Sequence, residues 1–279
     1  MTKLQSQARS ISDRLSKIAK DLKIPYKMVL TEFLLERLAV RLVADKTLSQ
    51  CLVFKGGYVS LRVYNSARYT VDLDALLTKG PLDKITTTST VAAEVDIGDA
   101  VWFRKERSFD LETQGEYGGH RIIFRCGVGE ILPDLKRAQI VNLDIGKGDP
   151  ITPGLREVKT PFLLGGGALS WQVYPIETTV AEKLHALIVR GSQSSRAKDI
   201  FDLVLLIPQC QNDMLKKALI ETFRYRGERL PSDIAAHVQK IERNLLRKGW
   251  KSAVGEIQDV ATFEETYANL VQLLVSLKL

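Results

Sequence analysis

The sequence has few cysteines and histidines and no long apolar run, and these absences exclude several classes of protein. Its three cysteines, Cys51, Cys126 and Cys210, lie far apart and form no C-x-x-C pair, which argues against a disulfide framework and a structural zinc site. No apolar stretch reaches the roughly 18–20 residues of a membrane-spanning helix, and the N-terminal residues lack a signal peptide's apolar core. We therefore expect a protein of the reducing cytoplasm that does not bind membranes.

An excess of acidic residues is also missing. The 279 residues include 40 Lys and Arg against 33 Asp and Glu, which gives a formal net charge of +7. This balance favours an anionic partner, and nucleic acid is the leading candidate. The three histidines are scattered along the chain, and no Ser-His-Asp or Cys-His nucleophile set emerges from the sequence.

A glycine pair follows a short apolar segment near the middle of the N-terminal half. Residues 49–54 (SQCLVF) are expected to form a buried strand, and residues 58–64 a helix. Gly56 and Gly57 between them can adopt positive φ and bring backbone N–H groups close to a ligand. Because a helix N-terminus carries partial positive charge and unpaired donors, this layout predicts a phosphate-binding turn.

Three acidic residues lie on predicted strands downstream of the glycines. Residues 71–77 (VDLDALL) alternate as a strand does, so Asp72 and Asp74 point to one face. Asp144 lies in the apolar strand predicted at residues 139–145, where an unpaired charge would be costly. Neighbouring carboxylates repel each other unless a cation lies between them, and Mg²⁺ prefers oxygen ligands. We predict that Asp72, Asp74 and Asp144 converge and hold two Mg²⁺ or Mn²⁺ ions for an in-line displacement at phosphorus.

Each motif taken alone has a simpler explanation. A glycine pair is usually a turn, and an Asp-x-Asp is often a solvated strand edge or the partner of an arginine. The order strand, Gly-Gly, helix, strand with Asp-x-Asp and later strand with one Asp is typical of a nucleotidyltransferase palm. We therefore predict an enzyme that uses a nucleoside triphosphate (NTP) as substrate.

The predicted fold class is α+β, with two domains. Residues 147–167 are rich in Pro and Gly, are expected to form a loop and mark the domain boundary. Residues 1–160 are predicted to form the nucleotidyltransferase palm, a mixed sheet flanked by helices that include two N-terminal ones. Residues 161–279 are predicted to form an all-helical domain. Further helices are expected at residues 5–23, 26–45 and 81–97, and further strands at residues 100–109 and 120–126.

A second group of charged residues lies on two predicted helices of the C-terminal half. Lys183 lies off the apolar stripe of a helix at residues 177–190. Arg196 and Asp199 are three residues apart and therefore neighbours on one face of the following helix. We predict that Asp199 contacts Lys183. A salt bridge that only fixes two helices and a phosphate-binding lysine oriented by an acid would both give this pattern.

The segment from Cys210 to Lys251 is unusually basic, with ten Lys and Arg against five acids. Phe223, Tyr225 and Trp250 are interleaved with these charges. Such a mixture suits a surface that holds a phosphate backbone while aromatic rings stack on unpaired bases. Solvated helix faces with buried aromatic residues would produce the same pattern.

Four of these segments resemble one known family. K-G-G at residues 55–57, R-Y-T-V-D-L-D at residues 68–74, P-I-E-T-T-V-A-E-K-L-H-A-L at residues 175–187 and R-A-K-D-I-F-D-L at residues 196–203 are similar to the AbiEii/MenT nucleotidyltransferase toxins. The similarity spans about residues 51–206. It implies a fold of the DNA polymerase β-like nucleotidyltransferase superfamily and a type IV toxin–antitoxin system.

The resemblance implies a role for each matching residue. Asp72 and Asp74 match the metal-binding pair, and Thr70 lines the same pocket. Lys183 matches a lysine that contacts nucleotide phosphates, and Asp199 matches an acid implicated in catalysis. The expected catalytic residues are therefore Asp72, Asp74, Lys183 and Asp199, and the expected nucleotide-binding residues are Lys55, Gly56, Gly57, Thr70, Lys183 and Arg196.

The resemblance also implies a biological role. The acceptor would be RNA, with the 3′ end of tRNA as the leading candidate, and its modification would block aminoacylation, translation and growth. Such activity would serve phage defence by abortive infection, and a cognate antitoxin protein would silence it. Two alternatives stay open at this point: the same chemistry on a small molecule or a protein, and a catalytically inactive RNA-binding regulator.

Overall fold

A computed structural model of the chain describes residues 1–111, 118–191, 193, 196–255 and 257–277. These residues form eleven α-helices and one seven-stranded sheet. The strands are β1 (Leu52–Lys55), β2 (Asp72–Leu77), β3 (Val101–Leu111), β4 (Gly119–Val128), β5 (Gln139–Lys147), β6 (Arg156–Pro161) and β7 (Ala168–Val173). The helices are α1 (Lys3–Leu22), α2 (Tyr26–Ala44), α3 (Leu48–Cys51), α4 (Gly56–Val63), α5 (Leu82–Glu94), α6 (Ile176–Arg190), α7 (Ala197–Leu206), α8 (Asn212–Tyr225), α9 (Ile234–Gln239), α10 (Asn244–Val254) and α11 (Phe263–Ser276).

The chain divides into two compact units. The first contains α1 to α5 and the sheet, and the second contains α6 to α11. The predicted α+β class is therefore confirmed, with a mixed sheet flanked by helices and a helical C-terminal region. The first unit comprises Met1–Val63, Tyr69–Gly148 and Glu157–Val173, and the second comprises Tyr64–Arg68, Asp149–Arg156 and Tyr174–Leu279.

The sheet brings the acidic residues of the first unit to one face. Its strand order is β3-β4-β5-β2-β1-β7-β6. In the pairing of β2 with β5, Asp74 lies opposite Asp144 and Asp72 lies opposite Asn142. Arg121 on β4 lies opposite Asp144 from the other side. Because residues directly opposite each other point to the same face of a pleated sheet, these side chains share one surface of the central strands.

Helix α2 packs its apolar stripe against this sheet. It contacts β2, β5 and β7, and Val29, Phe33, Leu34, Leu38 and Leu42 on it are buried. Burial of five such side chains stabilises the unit by about 1.5–3 kcal/mol each. Helix α4 packs on β1 and β2, and this contact places the start of α4 next to the strand that carries Asp72 and Asp74.

Two local predictions need correction. The strand expected at residues 49–54 begins only at Leu52, because residues 48–51 form α3. The N–H groups of Thr47, just before this helix, and of Leu48, its first residue, donate to Asp45 Oδ1 at 2.8 and 2.9 Å. The loop expected at residues 147–167 contains β6, which the three following glycines connect to β7. All three glycines adopt positive φ, which glycine does at no steric cost. The Phe162 N–H donates to the Gly167 carbonyl at 3.0 Å and closes the turn between β6 and β7.

The second unit has a helical core. Helix α6 packs on α7 and α8, and α7 packs on α10 and α11. Phe223 and Trp250 belong to this core, being only 1% and 9% exposed. The idea that these two rings stack on unpaired bases is therefore wrong, because they pack against His185 and Phe263 instead. In the described part of the chain, no helix is both long and apolar enough to cross a membrane.

Candidate active site

Asp72 and Asp74 lie at the start of β2, on the face opposite the buried Leu73. The backbone N–H of Asp72 donates to Thr70 Oγ1 at 3.1 Å, and Asn142 Nδ2 donates to Asp72 Oδ1 at 2.8 Å. Thr70 thus holds the backbone of Asp72 and Asn142 its carboxylate, while the side chain is still 32% exposed. Such a carboxylate is oriented by the protein and accessible to a ligand.

Gly56 is the first residue of α4 and follows β1 directly, so no loop separates the strand from the helix. Its φ is +74°, a conformation that other residues adopt rarely. A Cβ atom at this position would lie 2.0 Å from Asp74 Oδ2. The glycine therefore lets the Asp74 carboxylate approach the N-terminus of α4, whose partial positive charge favours it.

Asp144, the third predicted acid, is engaged by Arg121. The guanidinium donates from Nε to Asp144 Oδ1 at 2.7 Å and from Nη2 to Asp144 Oδ2 at 2.5 Å. Arg121 Nη2 also lies 3.6 Å from Asp72 Oδ1. The hydrogen bond to Asp144 raises the pKa of Arg121 above its ordinary value, so the guanidinium carries its charge at any pH of interest.

A metal ion at this face of the sheet would take its ligands from these side chains. In the described residues, no group of three or more His, Cys, Asp or Glu side chains could hold a metal ion. The predicted trio is therefore not assembled as a cluster there, and Arg121 binds both carboxylate oxygens of Asp144. Asp72 and Asp74 supply carboxylate oxygens, and the buried Oδ1 of Asn142 has no hydrogen-bond partner among the described residues. These oxygen donors fit a hard cation such as Mg²⁺, and the assignment of Asp144 to a metal stays a prediction.

A second cluster of charges lies within the second unit. Lys183 Nζ donates to Asp199 Oδ1 at 3.0 Å, which confirms the predicted contact, and to Asp202 Oδ2 at 2.7 Å. Arg68 donates to both oxygens of Asp202 at 3.1 and 2.9 Å. Arg196 donates to Asp199 Oδ2 at 2.8 Å. These five side chains carry three positive and two negative charges, so each buried acid has two cationic partners.

Lys183 is held in its charged form. Burial acts to lower its pKa, but the charges of Asp202 and Asp199 outweigh burial and raise the pKa above its ordinary value. The side chain is 12% exposed. An ammonium group has three N–H donors, and in the described residues two of them point to Asp199 and Asp202. The third N–H has no acceptor among the described residues.

Sequence reasoning missed four residues of these two clusters. Asp202 lies three residues after Asp199 and therefore on the same helix face, a signal that was available from the motif R-A-K-D-I-F-D-L. Arg68 belongs to the R-Y-T-V-D-L-D motif, but its partner lies 134 residues away. Arg121 and Asn142 reach the acids only through strand pairing, and no local pattern predicts which strands pair.

Comparisons with known proteins show the family of the chain and agree with its fold. A model of the family described as nucleotidyl transferase AbiEii toxin, type IV TA system, matches residues 37–269. The crystal structure of JHP933 from Helicobacter pylori is similar, with 17% identity, a TM-score of 0.50 and coverage of 88% of this chain and 89% of that chain. The crystal structure of a putative nucleotidyltransferase from H. pylori has 17% identity, a TM-score of 0.51 and coverage of 88% and 92%. At this identity the likeness concerns the fold. No curated protein matches the sequence significantly.

Proposed function

We propose that this chain transfers a nucleoside monophosphate from an NTP to an RNA hydroxyl. The proposal starts from its family, because the chain belongs to the AbiEii nucleotidyl transferase toxins of type IV toxin–antitoxin systems. Family membership makes the chain a nucleotidyltransferase and a toxin with an antitoxin partner. The acceptor that we propose is the 3′ end of tRNA. Modification of that end would prevent aminoacylation and so stop translation in the cytoplasm.

This assignment depends on the placement of Asp72 and Asp74. They present two carboxylates on one face of β2, and the approach of Asp74 to Gly56 requires a residue without a side chain. Mg²⁺ or Mn²⁺ bound there would supply positive charge for the phosphates and the leaving pyrophosphate. Asn142 and Thr70 hold Asp72 in place for this task. We propose Asp72 and Asp74 as the principal metal ligands, with Asp144 as a further ligand if Arg121 leaves it.

We assign phosphate binding to Lys183 in the second unit. Its ammonium group is kept protonated by Asp199 and Asp202, and in the described residues it retains one N–H donor for a phosphate oxygen. Asp199 is proposed to orient this amine. The other residues proposed to bind the nucleotide are Lys55, Gly56, Gly57, Thr70 and Arg196.

The positive net charge of the chain supports an RNA acceptor. The chain carries a formal net charge of +7, and Lys248 and Lys251 of α10 are exposed to solvent. Positive surface charge attracts a phosphate backbone without selecting a base sequence. We therefore expect binding of tRNA to weaken as the salt concentration rises.

The acceptor can be identified by following the α-phosphate. Purified protein is incubated with each NTP labelled at the α-phosphate, Mg²⁺ and total tRNA, and the products are separated on a denaturing gel. Label on tRNA, which disappears when the 3′ diol has first been oxidised with periodate, is the expected result. Label on protein or on a small molecule would select another acceptor. Absence of label from all four NTPs would contradict the proposed reaction.

A further inference from the structure

Arg121 occupies the position between two carboxylates in which a cation is expected. Its guanidinium lies 2.7 and 2.5 Å from the two oxygens of Asp144 and 3.6 Å from Oδ1 of Asp72. The side chains of Arg121 and Asp72 are 28% and 32% exposed. The arginine is thus neither sealed in the core nor free in solvent, and it bridges strands β4, β5 and β2 on the face that carries Asp72 and Asp74.

A guanidinium and a metal ion cannot bind the same carboxylate oxygens at the same time. Bidentate pairing of Asp144 with Arg121 uses both of its oxygens in charge-assisted hydrogen bonds. A divalent cation at Asp144 must therefore displace these bonds, and a cation at Asp72 must bind within a few ångströms of a positive charge. Both effects weaken metal binding as long as the arginine stays in this place.

We propose that Arg121 competes with the divalent cation for the carboxylates of Asp144 and Asp72, and so sets the metal affinity of the site before nucleotide binds. This inference rests on the proposed function, since it takes Asp72 as a metal ligand. Arg121 is a positioning residue in this scheme. It neutralises the acids in the metal-free protein and keeps them close together on the sheet.

The same strand offers a matched control. Arg125 lies four residues after Arg121 on β4 and donates to both oxygens of Glu106 at 2.8 and 2.9 Å. Arg125→Gln removes the same charge and the same kind of bidentate pair as Arg121→Gln. Four residues of strand separate the two positions by about 13 Å, a distance at which charges near the surface are largely screened.

The experiment is a calorimetric titration with Mn²⁺ in the absence of nucleotide. Wild type, Arg121→Gln, Arg125→Gln and Asp72→Asn are compared, with circular dichroism to check folding. We expect Arg121→Gln to bind Mn²⁺ at least about tenfold more tightly than wild type, and Arg125→Gln to bind it with wild-type affinity. Arg121→Gln should also have a lower melting temperature in EDTA and a larger rise in that temperature on addition of Mn²⁺.

The outcomes separate this inference from the proposed function. If wild type binds Mn²⁺ through Asp72 but Arg121→Gln binds it with equal or lower affinity, competition is wrong and the metal site stands. If no variant binds Mn²⁺, both the competition and the metal site are wrong. Should Arg121→Gln fail to fold, Arg121→Lys keeps the charge without the bidentate geometry, and we expect an affinity above wild type. An unchanged affinity in that variant would also overturn the inference.

Discussion

Gly56 and Asp74 are in such close contact that no side chain fits between them. A Cβ atom on Gly56 would lie 2.0 Å from Oδ2 and 2.9 Å from Cβ of Asp74. The aspartate side chain therefore occupies the space in which any other residue at position 56 would place its first carbon. Glycine at position 56 therefore makes room for the Asp74 carboxylate and also allows the positive φ of the backbone.

Gly56→Ala should displace the Asp74 carboxylate and weaken metal binding. Removal of a group that orients a metal ligand typically lowers affinity by about 10- to 100-fold, and we expect an effect of this size on Mn²⁺ binding. The substitution also places an alanine at positive φ, at a cost of about 1–2 kcal/mol in stability. Calorimetry and urea unfolding measure the two effects separately.

Gly98 provides the control for this substitution. It has the same φ of +74°, and a Cβ there would meet nothing within 4 Å. Gly98→Ala should therefore lose about 1–2 kcal/mol of stability through backbone strain and keep the wild-type affinity for Mn²⁺. Equal affinities in the two alanine variants would show that the contact between Gly56 and Asp74 does not position a metal ligand.

Asp202→Asn should destabilise the second unit strongly. Asp202 is fully buried and pairs with Lys183 and Arg68, so its neutralisation leaves two largely buried cations with less compensation. Breaking a buried pair in this way costs about 3–5 kcal/mol. Asp110→Asn is the matched control, since Asp110 is 87% exposed and pairs with His120 at the surface, where a loss of at most about 1 kcal/mol is expected. Similar urea midpoints for the two variants would contradict a structural role for the Asp202 pairs.

The free energy of unfolding should fall at acidic pH because of His185. Burial first, and then the charge of Arg226, lowers the pKa of this histidine from 6.5 to about 4. Arg226 Nη1 lies 3.0 Å from His185 Nδ1, and because arginine only donates, the neutral ring accepts through Nδ1. The unfolded chain takes up a proton near the ordinary pKa while the folded chain does not, so stability falls as the pH drops from about 6.5 towards about 4.

The contribution of His185 can be measured by its removal. His185→Gln keeps an acceptor for Arg226 and does not titrate, so its loss of stability between pH 7 and pH 5 should be smaller than that of wild type by about 1 kcal/mol, allowing for partial solvent screening. His237→Gln, which removes an exposed histidine, is measured in parallel. If His185→Gln loses as much stability as wild type between pH 7 and pH 5, His185 is protonated in the folded protein.

Periodicity within one element was enough to predict part of the site. The alternation of residues 71–77 places Asp72 and Asp74 on one face, as observed, and the helical spacing around Lys183 led to the contact with Asp199. Both predictions depend only on the geometry of a strand or a helix pair adjacent in sequence. The α+β class followed from the same kind of pattern.

The contacts between residues on different strands depend on strand order and register, which the sequence alone does not predict. Arg121 meets Asp144 because β4 and β5 pair with these two residues opposite each other, and a shift by one residue would point them to opposite faces. Asp202 could have been placed beside Asp199 from its spacing on the helix, but its pairing with Arg68, 134 residues away, follows from no local pattern. The close approach of Gly56 to Asp74 depends on the packing of α4 against β2, which no local pattern encodes.

The central claim is that Asp72 carries a metal-dependent transfer of nucleoside monophosphate to RNA. Its most direct test is the rate at which α-phosphate label passes from NTP to tRNA across a Mg²⁺ titration, in wild type, Asp72→Asn and the surface control Asp110→Asn. We predict that transfer by wild type and Asp110→Asn rises with Mg²⁺ and stops in EDTA. Transfer by Asp72→Asn should be slower by about 1000-fold or more, which corresponds to about 4 kcal/mol. Equal labelling by Asp72→Asn, or labelling that persists in EDTA, would contradict the claim.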